Sequence, residues 1–425
     1  MPPDRTGTSA DGIAPGAPQP KRAADLLRAL RVRNFALFWT GQLISGTGTW
    51  MQMVAMAWIV LEISGSAAVL GMVTTLQFLP LLMFVLPAGV LADRFPKRTI
   101  MLTAQTLAAL QAVVLGFLAL TGSPQIWQLA LLAFTLGVSN AFNYPAQQAF
   151  VPELVGSALV PEAVAMNSVQ FNSSRMIGFA LGGLAVARLS AAAVFFINAA
   201  SFTAALAALL ALRTGELRLS RSRPARHGAL REGFRYVAHT PAVLFVLGAL
   251  AVVGTFGYNW PVAAPLLARD VLNVESVGFG ALMSAFGAGS LVAGVGLVVV
   301  GGSSERRMIT SGAVLALTLV LLGVSRVYPV SLGLMMLAGL SGTVFTTTVN
   351  TRLQGLTPDR LRGRVMSLFV LLLAGTTPFG SALLGLGAEA FGISAAVIAF
   401  GAVTLAGLAV LLVLHARRPR PGRAR

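Results

Sequence analysis

Long apolar runs alternate with short polar breaks along nearly the whole chain. A membrane-spanning helix needs about 20 apolar residues. Twelve runs reach that scale, at 35–60, 67–91, 99–121, 126–145, 164–187, 191–212, 241–265, 277–300, 308–326, 329–350, 365–387 and 393–415. Most breaks between them are short; the exception, 213–240, divides them into six and six. The pattern predicts an all-α membrane protein of twelve transmembrane helices in two pseudo-symmetric six-helix bundles. The expected organisation is a disordered basic tail over 1–33, a first bundle over 34–212, a linker over 213–240, a second bundle over 241–415 and a basic tail over 416–425.

Composition supports the membrane reading. Of 425 residues 56% are hydrophobic and 11% charged, whereas a soluble domain carries about 25% charged residues. The first ~20 residues are Pro, Gly, Ala and polar types, the composition of a disordered tail and not of a secretory leader. The chain has no cysteine, which removes disulfides, thiolate metal sites and thiol catalysis. No G-x-x-x-x-G-K-[ST] run is present, so no nucleotide site is expected. Neither enzyme chemistry nor a cofactor nor a metal is implied.

The net charge of +17 invites a nucleic-acid partner, but its distribution excludes one. A nucleic-acid face clusters its bases; here they sit in small groups between apolar runs. With the N-terminus inside, all of the 31 Lys and Arg except Arg175, Arg188, Arg269 and Arg326 fall on the inner side. Positive residues stay cytoplasmic, which predicts an inner- or plasma-membrane protein with both termini in the cytoplasm. The tail "RRPRPGRAR" fits that signal and also fits contact with anionic lipid. In the linker, Arg231 and Arg235 lie opposite Leu230, Phe234 and Val237, the pattern of an amphipathic interfacial helix.

An internal repeat links the halves. Gln148, Pro152 and Glu153 follow the fourth run, and Gln354, Pro358 and Asp359 follow the tenth at the same spacing. Internal repeats of this kind mark alternating-access transporters with the substrate site between the halves.

With the twelve helices, "GVLADRFPKR" between the second and third runs resembles the signature of the major facilitator superfamily. The matching positions are Gly89, Leu91, Asp93, Arg94, Lys97 and Arg98, with Pro96 where many members have Gly. The stretches "RNFALFWTGQLISGTGTWMQMVAMAWIVLEISGS", "NYPAQQAFVPELV", "AMNSVQFNSSRMIGFALGG", "ALREGFRYV" and "PDRLRGRVMS" are similar to the exporter branch that includes enterobactin and macrolide efflux proteins. The resemblance implies a charge-relay latch around Asp93 and Arg94, made in the outward-open state, with Glu153, Asp359 and Arg362 joining it at neighbouring helix ends. Glu305, Arg306 and Arg307 stand in the equivalent place of the second half. Topology alone explains Lys97 and Arg98; it does not explain Asp93, an acid at the membrane boundary that calls for a partner.

Drug exporters of this superfamily commonly exchange substrate for protons, which needs a titrating group in the membrane. None of the 14 acids or three histidines falls near the middle of an apolar run. The first helix reads "GTGTW", and the fourth carries Asn140 and Asn143 where many proton antiporters have an Arg. Asp93 is therefore the candidate for proton coupling, with a uniporter or coupling to another ion left open. Gly178, Gly182 and Gly183 resemble the antiporter signature of helix 5, with Phe179 in its Pro position; they also serve close helix packing.

One charge does lie deep. Arg175, on a loose stripe with Asn167 and Asn172, either meets an anionic or carbonyl-rich substrate or pairs with Glu153 or a helix C-terminus. The remaining cavity candidates are the polar and aromatic residues inside apolar helices: Trp50, Gln52, Met53, Gln77, Tyr258, Asn259 and Trp260. A Met and aromatic lining suits a bulky, amphipathic ligand. The expected function is export of such a molecule (a drug, antibiotic or siderophore-like metabolite) by a monomer in contact with membrane lipid. A lipid transporter or flippase, or a facilitator without proton coupling, is the alternative.

Overall fold

A computed structural model of the chain describes residues 27–122, 124–218, 229–300 and 302–417, without the side chains of 85, 86, 93, 229–233, 298–300, 359 and 360. Of the tails expected over 1–33 and 416–425, residues 1–26 and 418–425 lie outside the described residues, as do the side chains of Leu230, Arg231, Asp93 and Asp359; the part expected to be disordered is corrected over Leu27–Arg31, a 3-10 helix that buries Ala29.

The first bundle comprises α1 (Arg33–Ser64), α2 (Ala67–Arg94), α3 (Lys97–Leu120), α4 (Ile126–Val155), α5 (Val160–Arg188) and α6 (Ala191–Leu210). The second comprises α7 (Pro241–Gly257, resuming as Trp260–Leu266 and a π turn Leu267–Val271), α8 (Ser276–Val300), α9 (Glu305–Val324), α10 (Tyr328–Leu356), α11 (Asp359–Phe391) and α12 (Ile393–Ala416). Among the described residues, eleven spans are long and apolar enough to cross a membrane. The exception is α5, which is as long but carries Gln170, Asn172, Ser173, Ser174 and Arg175 in its middle.

The packing is two-fold. In the first bundle α1 lies against α5 and α6, α2 against α4, and α3 against α4 and α6; α7 to α12 repeat each of these pairings. Between bundles α2 meets α11 and α5 meets α8, again equivalent positions. Short polar turns separate the helices. Ser66, Ser190 and Ser304 accept backbone N–H bonds at the starts of α2, α6 and α9, each satisfying a donor that the helix leaves open.

Several helices run past their apolar runs. Helix α4 was expected to end near 145 but continues to Val155, so Gln148, Pro152 and Glu153 lie inside its last turns instead of after it. Pro358, by contrast, precedes α11, and Asp359 is that helix's first residue. Hydropathy reports the stretch inside hydrocarbon, whereas the helix continues into water wherever backbone bonds and end contacts sustain it. The expected seventh helix is not continuous. Pro261 lacks an N–H and crowds the preceding turn, and α7 breaks at Tyr258–Asn259. The Asn259 amide then donates to the Thr255 carbonyl at 2.6 Å. The linker helix Ala229–His239 docks on the second bundle: Val237 is buried and the Tyr236 hydroxyl donates to the Leu356 carbonyl at the end of α10.

Candidate functional site

The two bundles are joined at one end. There α2 and α11 cross so closely that a Cβ on Gly385 would stand 2.8 Å from the Gly71 Cα, while α5 and α8 cross at Gly183 and Gly280, where the same test gives 2.9 Å. Two charged side chains of the second bundle grip the α1–α2 turn. Arg269 donates to the Leu61 and Gly65 carbonyls at 3.3 Å each. Glu389 accepts from the Ala67 and Ala68 amides at 2.8 and 3.2 Å and from the Ser66 hydroxyl at 3.0 Å. A cation thus meets the C-terminus of α1 and an anion the N-terminus of α2, each matching the local helix dipole.

Away from that end the helices part. Ser284 on α8 donates to the Met176 carbonyl on α5 at 3.0 Å, and Thr75 on α2 donates to the Pro378 carbonyl on α11 at 3.0 Å. At mid-helix a Cβ on Gly287 would stand 3.0 Å from the Met176 Cα, and one on Gly375 2.7 Å from Leu82 Cδ1 of α2. Gly89, Gly294, Gly296 and Gly363 have no neighbour where a Cβ would stand. The result is a cleft whose apex lies at mid-helix.

Arg175 sits at this apex. Its Nη2 donates to Asn172 Oδ1 at 2.8 Å, and the guanidinium lies 5.0 Å from the Phe286 ring of α8 and 5.6 Å from the Phe171 ring of its own helix. Its Nε is buried without a hydrogen-bond partner. The Trp50 ring packs on Phe171 and Phe179 at centroid distances of 5.5 and 5.2 Å. The expected pairing of Arg175 with Glu153 is corrected, because Glu153 is held elsewhere, 2.8 Å from Lys97.

The other candidates divide. Trp50, Met53, Gln77, Asn140, Asn172, Arg175 and Tyr258 are half-buried; the Tyr258 hydroxyl donates to the Gly342 carbonyl of α10. Gln52 does not face the cleft. It is 1% exposed and joins Gln111 at 3.1 Å and Asn198 at 2.7 Å inside the first bundle. Asn143 is also buried, its Oδ1 unpartnered. Asn259 and Trp260 are buried in the second bundle, lining a small void with Phe256, Leu319 and Phe400. All four turn into their own bundles; there a neighbouring amide or carbonyl satisfies Gln52 and Asn259 as well as a ligand would. The three glycines also have distinct neighbours. Gly178 and Gly182 admit α1 at Thr47 and Met51, while Gly183 admits α8.

At the open end Lys97 begins α3 and reaches Glu153 near the end of α4; the side chains are only 11% and 3% exposed. Glu305 begins α9 and reaches Arg352 near the end of α10 at 3.1 Å, the same bridge with its charges reversed. Arg98 donates to the Leu209 and Leu210 carbonyls at the end of α6 at 2.7 and 3.3 Å, and Arg362 to the Gln354 carbonyl at 3.3 Å. Leu91 and Arg94 are exposed. Reading the chain alone missed Phe171, Phe286, Arg269 and Glu389. Phe171 had a signal, lying one turn before Arg175, and Arg269 stood against the charge bias of its side. Phe286 had none.

Two bundles closed at one end around a cleft define a membrane transporter of the major facilitator fold. The chain belongs to the transmembrane secretion effector family, which its residues 25–421 match. It is 28% identical over 369 residues to the multidrug efflux pump Tap of Mycolicibacterium fortuitum, covering 84% of this chain and 90% of that one. It is 26% identical to macrolide efflux protein A of Streptococcus pyogenes (85% and 91% covered) and 25% identical to the staphyloferrin A transporter of Staphylococcus aureus (84% and 90%). Among solved structures, a POT family transporter in complex with a thioalcohol-conjugated peptide superposes with a TM-score of 0.74 at 12% identity, covering 91% of this chain and 96% of that one. A bacterial homologue of the lysosomal transporter Spinster, inward-facing and unoccupied, gives 0.67 at 15% identity, with 96% and 100% covered. Both show the fold alone.

Proposed function

We propose that this protein exports bulky organic molecules across the plasma membrane in exchange for protons, by rocking the bundles over 34–212 and 241–415 about the central cleft. The carrying observation is that the bundles join at one end through the paired glycine crossings and the Arg269 and Glu389 contacts. Such a seam lets a ligand that prefers one state shift the population of states. The names of the efflux relatives support the direction and the class of cargo. The distribution of Lys and Arg supports cytoplasmic termini, which makes the cleft inward-facing and the closed end extracellular. In this reading the cargo meets Trp50, Met53, Gln77, Asn140, Asn172, Arg175 and Tyr258 within a monomer surrounded by lipid.

Gly89, Leu91, Asp93, Arg94, Lys97 and Arg98 would close against Asp359 and Arg362 when the bundles rock. Every described acid lies at a helix end or in a loop, so the proton exchanges near an aqueous face, with Asp93 as carrier and Lys97, four residues on, paired with the buried Glu153. The test is flux of a compound panel that includes a macrolide, in proteoliposomes with and without an imposed pH gradient. Gradient-dependent flux is expected. Flux no greater than in empty vesicles overturns transport of that panel, and flux indifferent to the gradient overturns proton exchange.

A further inference from the structure

We infer that Arg175 forms an anion subsite at the apex of the cleft, so that the preferred cargo is a bulky aromatic molecule bearing a carboxylate or comparable acidic group, and not an organic cation. This deepens the transporter reading and rests on it.

Arg175 lies near the middle of the 29-residue α5, at the level where α5 and α8 separate. A guanidinium offers five N–H donors, and hydrogen bonding to Asn172 occupies one of its nitrogens. No carboxylate among the described residues pairs with it, because every described acid sits at a helix end or in a loop. A charge at such depth calls for a partner or an aqueous space, and Nε has neither. The protein therefore leaves this mid-helix cation short of an anion.

The surroundings specify the rest of the ligand. Phe171 and Phe286 flank the guanidinium, and Trp50 backs Phe171. Their rings hold the planar cation in place and offer an apolar wall to an aromatic body. A bidentate acid could use the guanidinium edge, whereas an amine cation brought to the same place would meet like charge in a poorly screened setting. The ring contacts come from both bundles, Phe171 from the first and Phe286 from the second. An anion seated there touches the seam, so its charge can bias the rocking equilibrium.

The test uses the full-length protein purified in detergent and three matched probes: pyrenebutyrate, pyrenebutanol and pyrenebutyl-trimethylammonium. Binding is read from pyrene fluorescence. The acid should bind wild type about 10- to 100-fold more tightly than the alcohol, the scale of one or two charge-assisted hydrogen bonds, and the ammonium most weakly. Arg175→Gln should abolish that order, and Arg175→Lys should retain part of it. Equal wild-type affinities for the three probes overturn the inference and leave the transporter reading standing, as does an acid preference that survives Arg175→Gln. Binding of none of them also overturns it, while macrolide flux in proteoliposomes judges the transporter reading separately. The wild-type order decides the matter even if Arg175→Gln does not fold.

Discussion

Replacing Gly385 with Ala should open the closed end. The new Cβ would stand 2.8 Å from both the Ala67 carbonyl oxygen and the Gly71 Cα. Carbon atoms in contact rest at about 3.5–4.0 Å, so α2 and α11 must part by roughly 1 Å. Both near neighbours are backbone and cannot turn aside. Overpacking of this kind costs about 1–3 kcal/mol, and only in the state where the two helices cross. The equilibrium should therefore move toward the other state by roughly 5- to 150-fold. The absence of native cysteine permits a clean assay: spin labels on cysteines at Leu189 and Val327, exposed at the closed end with one in each bundle. Electron–electron distance measurements should show a longer-distance population growing in Gly385→Ala. The control is Gly182→Ala, whose Cβ would stand 2.9 Å from the Met51 Cα within the first bundle. That variant should lower the melting temperature without lengthening the distance. A folded Gly385→Ala protein with the wild-type distance distribution would refute the reasoning, as would an equal shift in Gly182→Ala.

Loosening the grip on the α1–α2 turn with Glu389→Gln should move the same distances in the same direction but only by about 2- to 5-fold, because an exposed charge at a helix end contributes about 0.3–1 kcal/mol; 1 M salt should mimic it. Glu153→Gln should destabilise the first bundle by about 3 kcal/mol, the lower end for breaking a buried ion pair, since Lys97 keeps some exposure. Thermal unfolding measures this, and a loss below 1 kcal/mol would show that water already screens the pair. Gln52→Leu should cost about 1–3 kcal/mol by stranding Gln111 and Asn198 while leaving pyrenebutyrate affinity unchanged; a changed affinity would return Gln52 to the cleft.

Much of the architecture was written in local properties. Lipid solvation needs apolar runs of bilayer length, so the chain itself displays its helices, all but the polar-centred α5 strongly apolar, their division by the linker, and a lopsided charge distribution. Arg175 was conspicuous for the same reason, since a charge at that depth breaks the pattern. What a one-dimensional pattern cannot carry is which way a side chain turns about its helix and what meets it there. Gln52 and Asn172 look alike as amides in apolar runs, yet one closes a network inside its bundle and the other holds the arginine. Glu153 and Arg175 could have been partners on charge alone; the fold gives the acid to Lys97 and leaves the cation between two rings. The lines of glycine say only that helices approach. That Gly182 packs within a bundle and Gly183 between bundles depends on which helices lie on either side. Neighbours in space are set by the packing of all twelve helices, and in this protein that packing decides where the cleft opens and which residues face it.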